Sequence, residues 1–184
     1  MTILKNKWLW FYLCFVLVVA GCDVSPPNRV PNPVQTKSTS LTGEHIRTVT
    51  LDSSEKGVIN VFGKPSSVDF TEKPKIKNLT YVQNRKSGKL IFSFVDSKMV
   101  RYMFSDQRFK TAKGISIGST SAEVKKAYGK NYVERTDTSG RVIMYVDKIH
   151  KNSIEFIVDK GKVRSILFQK GTKLEFQKPV GAAL

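Results

Sequence analysis

The feature that most constrains this fold is a correspondence between two segments that lie 66 positions apart in the sequence. Residues 49–64 and 115–130 align without a gap, and the apolar anchors named next fall on apolar anchors of the second segment. The matched positions are Leu51 and Ile117, Val58 and Val124, Val61 and Ala127, Phe62 and Tyr128, and Gly63 and Gly129. A fixed period of this kind indicates one supersecondary unit that is used twice.

Each copy predicts a short strand, a capping residue and a helix of two to three turns. Thr120 and Glu123 have the spacing of a capping box, and in the first copy either Asp52 or Ser54 can cap the helix. The apolar residues at i, i+3 and i+4 form one stripe, and a glycine follows it as a helix terminator. We therefore expect two helices that begin near Ser54 and Thr120 and end near Gly63 and Gly129.

Alternating apolar and polar residues predict four strands after each helix. The expected strands are Val68–Phe70, Asn78–Gln83, Lys89–Val95 and Met99–Ser105, and then Tyr132–Glu134, Arg141–Val146, Ser153–Val158 and Lys162–Gln169. Lys173–Phe176 is a candidate for a last edge strand. The sequence thus predicts an α+β fold of two tandem helix-plus-antiparallel-meander units, which pack together because one unit alone leaves an exposed sheet edge.

The N-terminus has the pattern of an export signal. Lys5 and Lys7 precede the apolar run Trp8–Ala20, which is shorter than the roughly 20 residues that cross a bilayer as a helix. The run closes on residues that resemble the bacterial lipobox: Val19, Ala20, Gly21 and Cys22. The resemblance implies peptidase recognition of the first three and a diacylglyceryl group on Cys22. A conventional secretory signal ending in cysteine and an uncleaved anchor are the alternatives.

These features predict five segments along the chain. They are a signal peptide (1–21), the lipidated cysteine with a Pro/Ser/Thr-rich tether (22–47), repeat 1 (48–109), repeat 2 (110–170) and a tail (171–184). Cys14 leaves with the signal and Cys22 carries the lipid, so the mature chain has no disulfide. We expect a lipid-anchored protein at the extracytoplasmic face of the cell membrane, and the sequence does not decide between hosts with one membrane or two.

The second copy resembles two known kinds of module. The phrase Ile117-Gly118-Ser119-Thr120-Ser121-Ala122-Glu123-Val124, with Tyr128-Gly129 and a meander after it, is similar to the SmpA/OmlA (BamE-like) module and to the tandem repeat of the secreted β-lactamase inhibitor protein. The first copy departs from the motif, with Leu51-Asp52 in place of an aliphatic–glycine pair. The whole arrangement is similar to uncharacterised lipoproteins of Gram-positive bacteria. The resemblance implies a non-enzymatic protein that binds other proteins or assists envelope assembly.

The sequence offers no set of residues that predicts a reaction. His45 and His150 have no second ligand type at metal spacing, and helix capping explains the hydroxyls of residues 119–121. Asp96 and Asp159 occupy equivalent hairpin turns, where aspartate is an ordinary turn residue. We predict no catalytic residue, no metal site and no cofactor.

The chain is strongly basic, with a formal net charge of +16 that falls to +14 when Lys5 and Lys7 are removed. Export argues against nucleic acid and favours anionic partners such as acidic lipid or wall polymer. Five cations at predicted hairpin ends form a possible basic rim: Lys86, Lys89, Lys160, Lys162 and Arg164. The leading hypothesis is an envelope protein partner. The alternatives are inhibition of a secreted hydrolase and binding of an anionic polymer or lipid through the basic rim.

Overall fold

The computed structural model of the protein describes residues 36–72, 75–82 and 88–171. Two helices and eight strands follow one another along these residues. In chain order they are α1 (Glu55–Phe62), β1 (Ser67–Glu72), β2 (Lys75–Tyr81), β3 (Leu90–Val95), β4 (Lys98–Phe104), α2 (Ser121–Tyr128), β5 (Val133–Asp137), β6 (Gly140–Asp147), β7 (Asn152–Asp159) and β8 (Lys162–Lys170). Lys173–Phe176, the expected last strand, lies outside the described residues.

The predicted α+β fold of two tandem helix-plus-meander units is wrong. All eight strands form one antiparallel sheet in the order β1-β2-β3-β4-β8-β7-β6-β5, and the two helices have only eight residues each, so the fold is mainly β. β4 pairs with β8, with Tyr102 opposite Phe168 and Phe104 opposite Ile166. This pairing satisfies backbone groups that two separate meanders would leave on unpaired edges.

The helix positions expected from the sequence are confirmed. Ser54 caps α1 by accepting a hydrogen bond from the Gly57 amide, and Thr120 caps α2 with the complete capping box that includes Glu123. Gly63 and Gly129 follow the last helical residues, with φ of +79° and +88°. These are left-handed values that glycine adopts without a steric cost.

Both helices pack on the same face of the sheet. The Phe62 ring of α1 lies 5.2 Å from the Phe92 ring of β3, and the Tyr128 ring of α2 lies 5.1 Å from the Phe156 ring of β7. Phe92 and Phe156 are completely buried. We call this side the helix face, and the hydrophobic core lies between it and the helices.

A segment ahead of the first helix is bound along β6. The Thr39 amide donates to the Val146 carbonyl at 2.9 Å, and the Leu41 amide donates to the Asp147 carboxylate at 2.9 Å. Leu41 and Ile46 are buried in the main core cluster. We call residues 38–46 the N-terminal strap. The boundary that the sequence predicted at residue 47 between tether and folded domain therefore lies within the packed body.

A buried carboxylate fixes the middle of the strap. Glu44 is 4% exposed, and it accepts hydrogen bonds from the Tyr128 hydroxyl at 2.7 Å and the Ala112 amide at 3.1 Å. Burial of the phenol, together with the nearby Glu44 charge, raises the pKa of Tyr128 above its usual range. Tyr128 therefore stays protonated at neutral pH and remains a hydrogen-bond donor to Glu44.

Candidate functional site

The face of the sheet opposite the helices carries a line of polar side chains. Because side chains alternate along a strand, the residues between the core positions point to this second face, which we call the helix-free face. Six of them lie side by side across six neighbouring strands. In the order of the paired strands they are Asp69, Asn78, Ser93, Arg101, Gln169 and Ser153. We call these residues the polar row.

Hydrogen bonds connect three adjacent members of the polar row. The Ser93 hydroxyl, which is 1% exposed as a residue, donates to Asn78 Oδ1 at 2.7 Å. Arg101 Nε donates to the same Ser93 oxygen at 3.0 Å. Burial lowers the pKa of the Arg101 guanidinium, but arginine still carries its charge at neutral pH. The connected bonds therefore hold a half-buried positive charge in one orientation.

Arg101 lines a depression of about 290 Å³ on the helix-free face. The other lining residues are polar on the side of β1 and β2 and apolar along the middle of the sheet: Asp69, Asn78, Thr80, Ser93, Ile91, Met103 and Leu167. Ile91, Met103 and Leu167 are register partners on adjacent strands. The depression thus combines one cationic group, hydrogen-bonding side chains and an apolar wall.

A second arginine on the same face, Arg135, is neutralised by two carboxylates. Arg135 Nη2 lies 2.6 Å from Glu155 Oε2, and Arg135 Nε lies 3.4 Å from Asp137 Oδ2. Within residues 36–72, 75–82 and 88–171, Arg101 has no comparable ion pair, although Asp69 lines the same depression. Arg101 is therefore available to a negatively charged ligand, whereas Arg135 is not.

The site residues predicted from the sequence lie away from the depression or outside the described residues. Val19, Ala20, Gly21, Cys22 and Lys86 are outside the described residues. Lys89 precedes β3, and Lys160, Lys162 and Arg164 belong to the β7–β8 hairpin and the start of β8. The register of Leu90 with Phe104, and of Phe104 with Ile166, brings these four exposed cations to the same end of the sheet.

The basic rim has few polar contacts within the described part of the chain. Arg164 Nη2 donates to the Ser139 carbonyl at 2.6 Å, and none of the four described cations makes an ion pair with a described carboxylate. The function of the rim stays a prediction.

The two turns that contain Asp96 and Asp159 are tight hairpins. Positive φ is adopted by Asp96 and Ser97 in the first turn and by Lys160 and Gly161 in the second, as two-residue hairpin turns require.

The two histidines are engaged in local contacts. His150 Nδ1 lies 2.9 Å from Asp147 Oδ2, and His45 Nδ1 lies 2.6 Å from the Gly43 carbonyl. Among the described residues, no group of three His, Cys, Asp or Glu side chains is arranged to hold a metal ion. Nor does the described part contain a helix long and apolar enough to cross a membrane.

Sequence reasoning missed the polar row. The alternation of Leu90, Phe92 and Phe94 indicated that Ser93 points away from the core, but it did not show which residues of other strands lie beside it. That information depends on the register of β3 against β4, which shifts at a bulge between Ser93 and Phe94. An arginine in a strand whose neighbours are apolar was the only available signal for Arg101.

No protein-family model matches the chain, and no curated protein matches it. A structure of an extracellular protein containing an SCP domain from Bacillus anthracis superposes with a TM-score of 0.51 at 10% identity, over 73% of this chain and 48% of that one. A cysteine-rich secretory protein from Staphylococcus aureus gives 0.48 at 17% identity, over 68% and 46%. A candidate β-lactamase inhibitor protein from Streptococcus mutans gives 0.31 at 13% identity, over 76% and 94%.

These comparisons concern the fold. The chain spans about half the length of the two extracellular and secretory proteins that it matches. The Bacillus anthracis structure shows that this sheet architecture occurs in a known protein. The lipoprotein part of the resemblance seen in the sequence stays a prediction, and the two separate repeat units that it implied are replaced by one continuous sheet.

Proposed function

We propose that this chain is an exported, lipid-anchored, non-enzymatic protein that binds a second protein through the helix-free face of its sheet. The observation that supports this function is the half-buried Arg101, which has no ion pair with a described carboxylate and lies beside an apolar wall on a face that neither helix covers. Such a combination of a desolvated cation and apolar contact area is typical of the centre of a protein interface. The extracellular location given for the Bacillus anthracis protein agrees with export.

The anchor has its own test. If Cys22 carries the lipid, the wild-type chain should incorporate labelled fatty acid and remain in the membrane fraction, because two acyl chains hold a protein stably in a bilayer. Cys22→Ala should incorporate no label and should be unprocessed or released. The proposed lipid anchor would be overturned if the wild-type chain were recovered from the medium without lipid and cleaved at a position other than the one before Cys22.

The binding face is tested by capture from solubilised envelopes with the tagged full chain. Ile91→Lys places a second cation in the depression, and we expect it to abolish recovery of a stoichiometric protein partner that the wild type retains at high salt. Ala122→Lys adds the same charge to the exposed surface of α2 and should leave recovery unchanged. Melting curves of both variants establish that they are folded. Equal recovery with Ile91→Lys and Ala122→Lys would overturn the proposed face.

The basic rim supports a second candidate function, the binding of an anionic wall polymer or acidic lipid. Its support is the clustering of Lys89, Lys160 and Lys162 at one end of the sheet without ion pairs to described carboxylates. Contacts between exposed charges weaken with salt, since the screening length is about 10 Å at 0.1 M. Salt-dependent retention on purified wall polymer that disappears when these lysines are changed to glutamine, with no protein recovered alongside, would favour this function over the protein partner.

A further inference from the structure

We propose that Arg101 receives a single carboxylate, the side chain of an aspartate or glutamate of the protein partner, in the depression on the helix-free face. The inference rests on the binding function proposed above and names the chemical group that the site recognises. It follows from the donors that Arg101 has available, from the size and lining of the depression, and from the charges around it.

The donors of Arg101 are already oriented. Its Nε is occupied by the Ser93 hydroxyl, whose own proton goes to Asn78 Oδ1. No described residue accepts a hydrogen bond from the two terminal amino groups of Arg101, which therefore remain as the donors for a ligand. A carboxylate accepts from both of them at once, and paired hydrogen bonds of this kind are stronger and more specific than a single contact. Because Ser93 fixes the guanidinium beforehand, binding costs less side-chain entropy.

The depression has the dimensions of a side-chain pocket. Its volume of about 290 Å³ lies at the lower limit of small-molecule sites, which occupy about 300–1,000 Å³. Ile91, Met103 and Leu167 provide an apolar wall that suits the methylene groups of an acidic side chain. One carboxylate on a short apolar stem thus matches both parts of the lining.

The surrounding charges argue for one carboxylate and against a polyanion. Among the described residues that line the depression, Arg101 is the only cation, and Asp69 lies on the same lining. A polymer of phosphodiesters would need several cations in a line, and its further charges would be repelled by Asp69. Arg135 does not extend the site, because Glu155 and Asp137 already neutralise it.

The first experiment measures the site directly in the full chain, purified in detergent, by the NMR signal of the Arg101 Nε–H group. Arg101→Lys assigns that signal by removing it. The probes are the peptide acetyl-Ala-Glu-Ala-amide, its glutamine counterpart and inorganic phosphate. We expect the glutamate peptide alone to shift the signal in a saturable way. A response to phosphate at lower concentration than to the glutamate peptide, or equal responses to the two peptides, would overturn the inference.

The second experiment measures the affinity for the captured partner. Loss of one member of a desolvated, hydrogen-bonded charge pair weakens binding by about 30-fold or more, so we expect that loss with Arg101→Gln and a smaller one with Arg101→Lys. The control is Lys126→Gln, which removes one positive charge from the exposed surface of α2 and should change the affinity less than twofold.

The outcomes separate this inference from the proposed function. If Arg101→Gln behaves like Lys126→Gln while Ile91→Lys still abolishes capture, the face binds the partner but Arg101 does not receive its carboxylate. If none of these variants affects capture, both the inference and the proposed face are overturned.

Discussion

Replacing Phe92 with alanine is expected to lower the free energy of unfolding by about 3–5 kcal/mol, the usual cost of removing a buried aromatic side chain. Phe92 is completely buried in the part of the core that α1 covers. Its ring lies 5.2 Å from Phe62, 5.9 Å from Tyr81 and 6.1 Å from Tyr102. The variant therefore leaves a cavity between α1 and three strands, and these elements close it only in part.

Chemical denaturation of the wild type and the Phe92→Ala variant measures this difference. Phe70→Ala is the matched control, because Phe70 lies on edge strand β1 and is 59% exposed. The control should change the free energy of unfolding by less than about 1 kcal/mol. Similar losses in the two variants would contradict the position of the core described above.

Replacing Asp147 with alanine is expected to cost about 3 kcal/mol and to release the N-terminal strap. The carboxylate is 1% exposed and accepts hydrogen bonds from the amides of Leu41, Ile149 and His150, at 2.9, 3.0 and 3.0 Å. Each donor that loses its acceptor in a buried position costs about 1–3 kcal/mol, less where water replaces the carboxylate. Asp159→Ala removes the same charge from an exposed turn and should be nearly neutral.

The contribution of Asp147 should depend on pH. Burial alone would raise the pKa of this carboxyl, but the hydrogen bonds from Leu41 and His150 outweigh burial and hold the pKa below its usual range. A carboxyl with a lowered pKa stabilises the fold above its unfolded pKa, near 4, and this stabilisation is lost as the pH falls through the lower folded value. The stability difference between wild type and Asp147→Ala should therefore shrink below about pH 4.

Limited proteolysis gives an independent measure of strap release. Arg47 follows the strap directly and is exposed, so trypsin should cut there faster when residues 38–46 leave the sheet. We expect faster cleavage at Arg47 in Asp147→Ala than in Asp159→Ala at neutral pH. Unchanged cleavage with unchanged stability would show that Asp147 does not hold the strap.

The sequence predicted the local elements well, because their signals are local. The capping residues Ser54 and Thr120 and the glycines after each helix placed both helices, and alternation located all eight strands approximately. The fold class was wrong because local signals do not contain the pairing of β4 with β8. That pairing joins Phe104 to Ile166, residues far apart in sequence, and makes one sheet from strands that were expected to form two units.

The strap and the candidate site were beyond sequence reasoning for a related reason. Proline, threonine and serine gave residues 22–47 the composition of a tether, and only the tertiary partners Val146 and Asp147 show that part of this segment is bound to the sheet. Arg101 became a candidate when the register placed it beside Ser93 and showed no carboxylate paired with it among the described residues.

The strap also determines how the molecule responds to mechanical tension. A pull on the chain ahead of Ser38 acts first on the hydrogen bond from the Lys148 amide to the Ser38 hydroxyl. It then acts on the hydrogen bond from Thr39 to the Val146 carbonyl and on the one from Leu41 to the Asp147 carboxylate. These contacts lie on the β6 side of the sheet, several strands away from Arg101 on β4. We therefore expect a pull on the chain ahead of Ser38 to break the strap contacts before the strands around the depression are loaded.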